Sequence, residues 1–307
     1  MFDGILPIYK ERGMTSHDVV FKARKILKMK KIGHSGTLDP EVDGVLLLLL
    51  GGATKVSDYA MDLGKSYRAE VCLGIKTTTE DLTGEILEER TVEGIDISEI
   101  KGILKTMIGE IEQTPPIYSA VKVNGRKLYE YARRGQFDVE IPSRKVNIYN
   151  IEFLDNSEYY RDGKFYFTID INCGKGTYVR TIATSIGEKL NIPSTMSKLT
   201  RTSSGKITID HCLKLADVEK CLKENTLEDK ILKKEYALEE YQFVEIPLFR
   251  AKQVMNGLRF RKNQFPDYDF SNGIVFTYNN EAIAIYYLKD KDDELLSVKT
   301  TFPKILE

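Results

Sequence analysis

Residues 165–190 read FYFTIDINCGKGTYVRTIATSIGEKL, and the change of period inside this stretch decides the fold class. Phe165, Phe167, Ile169, Ile171 and Cys173 alternate with Tyr166, Thr168, Asp170 and Asn172, the period-two pattern of a strand with one apolar face. Gly174-Lys175-Gly176 interrupts it, and a helix is expected from about 178 to 190. Working outward, residues 66–73 alternate around Tyr67, Ala69, Val71 and Leu73, a second half-buried strand. A basic helix is expected over about 19–29, capped by Ser16 or Asp18. Another, opened by Ser98, carries Ile100, Ile103, Leu104, Met107, Ile108 and Ile111 and stops before Pro115-Pro116. The apolar run 45–50 reads as a buried helix or a buried strand, which periodicity does not separate. Strands broken by helices in no regular βαβ rhythm give an α+β fold with a mixed or antiparallel sheet flanked by helices. Residues 222–240 form a charged, helix-prone connector. Beyond it, short strand-like pieces at 273–278 and 282–288 predict a small C-terminal β domain.

Composition limits the functional classes. The 307 residues carry 45 Lys+Arg against 46 Asp+Glu, a net charge of −1, so any nucleic-acid partner must be held by local basic clusters. Four cysteines (Cys72, Cys173, Cys212, Cys221) and three histidines show no ligand spacing, so neither a metal nor a disulfide framework is expected. No signal peptide and no membrane-length apolar run is recognised, which points to a cytoplasmic protein.

Residues 33–40, GHSGTLDP, place one short carboxylate, Asp39, in a turn bounded by glycines and closed by Pro40. Such an aspartate either caps a helix or bonds its own backbone, or is presented to a ligand. Lys22, Arg24, Lys25, Lys28, Lys30 and Lys31 form a basic cluster just before it, which alone reads as a solvated helix face. Residues 125–135, GRKLYEYARRG, interleave Arg126, Lys127, Arg133 and Arg134 with tyrosines. Cations for phosphate and rings for splayed bases suit RNA, while a solvated helix with inward tyrosines is the plainer account. Arg180 follows the Gly176 turn in the first turn of a helix, placed to pair with a carboxylate or phosphate, or simply to form a surface salt bridge. No spacing rule brings it to Asp39.

GHSGTLDP, GGATK (51–55), KSYRAEVCLG (65–74), PPIYSAVKVNGRKLYEYARRG (115–135), KGTYVRT (175–181) and SKLTRTSSG (197–205) occur in the order and approximate spacing of the TruB family, which this chain resembles from about residue 2 to 205. These are the tRNA pseudouridine-55 synthases. The resemblance implies isomerisation of uridine to pseudouridine in the T-loop of tRNA by base flipping, without a cofactor. It implies a pseudouridine synthase catalytic domain over 1–240, with an RNA-binding insertion at about 124–143 acting as a lid, and a small PUA-like β domain over 241–307.

Asp39 matches the essential carboxylate, taken as the nucleophile. Addition to the sugar, attack on the base and elimination to a glycal all remain open. Tyr67 matches the tyrosine that stacks on the base and is a candidate for proton transfer; Arg180 matches the arginine that pairs with the aspartate. Tyr178 and Leu199 match the lining of the base pocket, and His34 a contact to RNA. The family implies a monomer acting on the tRNA T-arm without a membrane or an obligate protein partner. The alternatives are a catalytic subunit of guide-RNA-dependent pseudouridylation and a tRNA-folding chaperone with secondary catalysis. A glycosidase would need a second acid beside Asp39, and Asp43 is the nearby but unmatched candidate. Departures from the family are Ser35 for Thr, Leu48 for Pro and Thr78 for Asp; each leaves the matched functional groups in place.

Overall fold

The computed structural model describes residues 2–302. Its main sheet runs in the order Gly4–Lys10, Asp43–Leu50, Ser194–Ser204, Lys65–Leu73, Lys164–Cys173, Arg144–Phe153, Gly109–Gln113. All neighbours along this path are antiparallel except Ser194–Ser204 against Asp43–Leu50, which pair in parallel at Thr200–Asp43 and Arg201–Gly44. The sheet is therefore mixed, as the irregular succession of strands and helices requires. The helices Ile97–Thr106 and Val179–Leu190 pack on one face over Ala69, Val71, Phe167, Ile169 and Ile171.

The run that periodicity left open is the strand Asp43–Leu50. It shows no alternation because both faces are covered. Leu46, Leu48 and Leu50 pack against the helix Ser16–Leu27, whereas Val45, Leu47 and Leu49 pack against Ala53, Tyr59, Leu238 and, from the C-terminal part, Val275, Ala282, Ile285 and Phe302. Every one of these leucines is fully buried, each stabilising the fold by about 1.5–3 kcal/mol in transfer terms.

Three expectations need correction. The first helix is capped by Thr15, which accepts from Asp18 N, while the Asp18 side chain accepts from Thr15 N: a capping box in which Asp18 is the third helical residue, not the cap. The second helix, Ile97–Thr106, is capped by Asp96 and ends before Gly109, whose φ of +108° turns the chain so that Ile111 lies in a strand. The charged connector is not one helix: after Leu215–Lys223 it breaks into single 3₁₀ turns at Glu228–Lys230 and Lys234–Leu238. Between them Leu232 exchanges backbone hydrogen bonds with Ile5 at 2.7 and 2.8 Å, so pairing to the sheet edge overrides helix propensity.

The C-terminal part is a five-stranded sheet in the order Gln242–Glu245, Ile274–Tyr278, Glu281–Tyr287, Leu295–Thr301, Phe260–Arg261, with the helix Leu248–Met255 on it. No helix among the described residues is long and apolar enough to cross a membrane.

Candidate active site

The Asp39 turn links the short strand Ile32–His34 to Asp43–Leu50. Gly36 takes φ +102°, which favours glycine. Leu38 and Val42, each 4 % exposed, enter the core on either side of Asp39 and leave its carboxylate outside, 47 % exposed. The backbone is tied down at both flanks. Ser16 Oγ accepts from Leu38 N at 2.8 Å, and Lys10 Nζ donates to Val42 O at 2.6 Å and Pro40 O at 3.2 Å. Lys10 is fully buried, and desolvation lowers its pKa while Asp43 and Asp39 act to raise it. No helix begins at Asp39, so the capping reading falls.

Arg180, in the first turn of Val179–Leu190, is 8 % exposed in its side chain. Its Nη2 meets Asp39 Oδ2 at 3.2 Å and donates to Tyr118 O at 3.0 Å. Its Nη1 donates to Thr79 O at 3.0 Å and lies 3.8 Å from Asp81 Oδ2. One guanidinium thus ties its helix to three other segments of chain, at 39, 79–81 and 118. Asp81 is held for this by Thr79 Oγ1 and Thr83 Oγ1, which donate to its other oxygen at 2.7 and 2.5 Å. The second acid at the site is therefore Asp81, reached through the arginine. Asp43, the candidate read from sequence, instead pairs with Arg12 at 3.0 Å and accepts from Thr200 Oγ1 at 2.5 Å.

Asp39, Tyr67, Tyr178, Arg180, Leu199 and Arg201 line one cleft of about 740 Å³, within the size range of ligand sites. Tyr67 lies opposite Arg201 in the strand register. Burial pushes the Tyr67 phenol well above its ordinary pKa, with Arg201 opposing and Asp39 adding to the rise, so at neutral pH it is a proton donor. The Tyr178 backbone exchanges hydrogen bonds with the Gln113 side chain at 2.7 and 3.0 Å, and its ring lies 5.0 Å from the Arg144 guanidinium. Lys65 donates to Met61 O and Leu63 O at 2.8 Å, and burial, then Arg201, lowers its pKa to about 8. Burial raises the Cys173 thiol to about 11, so it is no thiolate at neutral pH. Among the described residues no group of three or more His, Cys, Asp or Glu side chains gathers to hold a metal.

His34 does not line the cleft; it lies two residues before Gly36, paired with Leu48, and burial lowers its pKa. In the 124–143 insertion, Asn124-Gly125 turns a two-residue hairpin, and the helix Leu128–Ala132 buries Leu128 and Ala132. The tyrosines are partly buried, and Tyr131 OH donates to Val123 O at 3.1 Å. Arg126, Arg133 and Arg134 are exposed, Lys127 is half-buried, and Arg133 lies 5.1 Å from the Tyr129 ring. Asp81, Lys65, Lys10, Arg144 and Arg201 line the cleft or bond to residues that do, and sequence reasoning did not single them out. Lys65 and Arg201 lie inside the motifs KSYRAEVCLG and SKLTRTSSG, which was the available signal.

A carboxylate presented at the mouth of a cleft, an arginine locked against it and a stacking ring behind are the equipment of an enzyme acting on a base drawn out of a nucleic acid. Comparison with known proteins narrows this. The family model TruB family pseudouridylate synthase (N terminal domain) matches residues 24–179. The chain is 47 % identical to tRNA pseudouridine synthase B of Staphylococcus haemolyticus over 98 % of its own length and all of that protein, and 50 % identical to that of Staphylococcus saprophyticus over 93 % and 94 %. Among solved structures, a Cbf5-Nop10-Gar1 complex superposes with a TM-score of 0.71 at 25 % identity, covering 98 % of this chain and 85 % of that one. The chain belongs to the TruB family of pseudouridylate synthases. It is a pseudouridine synthase enzyme, and its two-part α+β fold is the family's.

Proposed function

We propose that this enzyme isomerises uridine 55 in the T-loop of tRNA, alone and as a monomer, with Asp39 as the catalytic carboxylate. The observation that carries the reading is the Asp39–Arg180 pair at the mouth of the cleft, beside Tyr67. The reaction breaks N1–C1′, turns the base and joins C5 to C1′; one proton moves from C5 to N1. Arg180 pairs with Asp39 and fixes its direction, so the carboxylate is placed to act at the ribose or to take a ribose proton. Tyr67 stacks on the base and, as a protonated phenol, donates rather than accepts a proton on arrival. Tyr178 and Leu199 wall the base, and His34, outside the cleft lining, contacts the RNA nearby. Extruding the base costs a few kcal/mol, which stacking and phosphate contacts offset.

Residues 1–240 are assigned to the catalytic unit and 241–307 to a PUA-like RNA-contacting unit, of which 303–307 lie outside the described residues. The 124–143 insertion, with Arg126, Arg133 and Arg134 turned to solvent and Lys127 half-buried beside them, serves as a lid over the T-arm. Replacing Arg126, Arg133 and Arg134 with alanine is expected to weaken tRNA binding and to lower the slope of log Kd against log salt by about one for each phosphate that these arginines neutralise. A slope equal to wild type would remove the insertion from the RNA interface.

The deciding experiment mixes the purified protein alone with a T-arm hairpin and measures pseudouridine in the digested RNA. Full conversion at the loop uridine is expected. Conversion that needed a guide RNA or a further protein would favour the guided assembly, and binding without conversion would favour the chaperone.

A further inference from the structure

Deep in the cleft lies an arginine that neither Asp39 nor Asp81 pairs with. Arg201 is 1 % exposed, yet it lines the same space as Asp39 and Tyr67. Its Nε donates to Val45 O at 2.6 Å, which fixes the side chain. Its Nη2 is buried with no hydrogen-bond partner; the neutral Tyr67 hydroxyl is the polar side chain beside the guanidinium, and among the described residues no carboxylate lies within ion-pair distance of it. The strands close tightly around it: Gly44, at φ +110°, is paired with Arg201, and a Cβ there would strike the Arg201 backbone. Lys65 adds a second positive charge beside it, itself satisfied only by carbonyl oxygens. Leaving an arginine unpaired in a buried site is strongly unfavourable unless a negative partner arrives.

We propose that Arg201 is a further catalytic residue: its free Nη2 hydrogen-bonds the flipped uracil and balances the negative charge that the ring carries once the N1–C1′ bond has broken. The inference rests on the uridine-isomerase reading above. The electron pair of the N1–C1′ bond leaves with the base, giving a uracil anion whose charge spreads onto the ring oxygens. After the base turns, C5 bonds to C1′, the C5 proton departs and N1 gains a proton, so the anion is discharged within the cycle. Arginine neither gives nor takes a proton in that sequence; it supplies fixed charge where charge develops. A backbone phosphate is the other anion RNA brings, but phosphates follow the rim of the cleft, whereas a side chain 1 % exposed is met only by a group inserted into it.

Single-turnover rates and Kd at two salt concentrations on the T-arm hairpin test this, with wild type, Arg201→Met and Arg201→Gln. Arg201→Met is expected to slow conversion by about 100-fold or more with Kd changed less than about twofold, the scale seen on removing one preorganised donor. Arg201→Gln keeps a donor but not the charge and is expected to lose about as much; it decides the matter on the same criteria if the methionine variant does not fold. A rate within about threefold of wild type in a folded variant overturns the proposal. So does a loss carried by Kd with a flatter salt slope, which would make Arg201 a phosphate contact. Wild-type inactivity on the hairpin overturns the functional reading, and this inference with it.

Discussion

Asp39→Asn is expected to abolish pseudouridine formation, lowering single-turnover conversion of the T-arm hairpin by at least ~10⁴-fold while leaving RNA affinity within about twofold. The amide has the shape of the carboxylate, and Leu38 and Val42 still pin the turn from both sides. Arg180 loses its partner at 3.2 Å but keeps the carbonyls of Thr79 and Tyr118 and the Asp81 carboxylate, so the cleft stays assembled. Asp39 is half-exposed, so its charge contributes little to folding and the loss falls on the chemistry. Pseudouridine in the digested RNA, with Kd measured in parallel, gives the answer. Conversion above a thousandth of the wild-type rate would remove Asp39 from the bond-breaking step.

Arg180→Met is expected to cost both rate and stability: ~10³-fold or more in conversion, and ~2–4 kcal/mol in unfolding free energy. The difference from Asp39 lies in burial. Arg180 is 8 % exposed and is the shared donor of the Thr79 and Tyr118 carbonyls, so its removal leaves two acceptors and the Asp81 carboxylate without their cation. Arg180→Lys restores charge but not the planar fork, and cannot reach two carboxylates and two carbonyls together; an intermediate rate is expected. Urea unfolding of the three proteins separates the effects. A methionine variant as stable as wild type would mean that the loops at 39, 79–81 and 118 are held together by other contacts.

Where one face of an element is solvated, the sequence reported it well. Residues 165–173 and 66–73 alternate cleanly because Ala69, Val71, Phe167, Ile169 and Ile171 lie under helices while their neighbours do not. The Asp43–Leu50 strand gave no period because its two faces are buried in two different cores, and burial on both sides erases the signal. The connector misled for another reason: its Glu and Lys content favours a helix, but Leu232 is claimed by Ile5, more than two hundred residues away in the chain. The site followed the same division. Asp39, Tyr67 and Arg180 lie in motifs whose family resemblance implied a meeting that spacing alone does not. Asp81 and Arg201 earn their places only through the sheet order, which sets residues 67 and 201 side by side and lays the 79–83 turn across the end of the 179–190 helix. Pairings of that range leave no local periodicity to read.

The core shared by Val45, Leu47 and Leu49 with Val275, Ala282, Ile285 and Phe302 has a mechanical consequence. The strand that follows the catalytic turn is also a wall of the C-terminal unit, so the separation between Asp39 and the C-terminal surface is fixed as in a ruler. The same continuity is expected to make the chain melt as one cooperative body: cutting it near residue 241 would strip the apolar cover from its longest uninterrupted run of leucines rather than release an independent half.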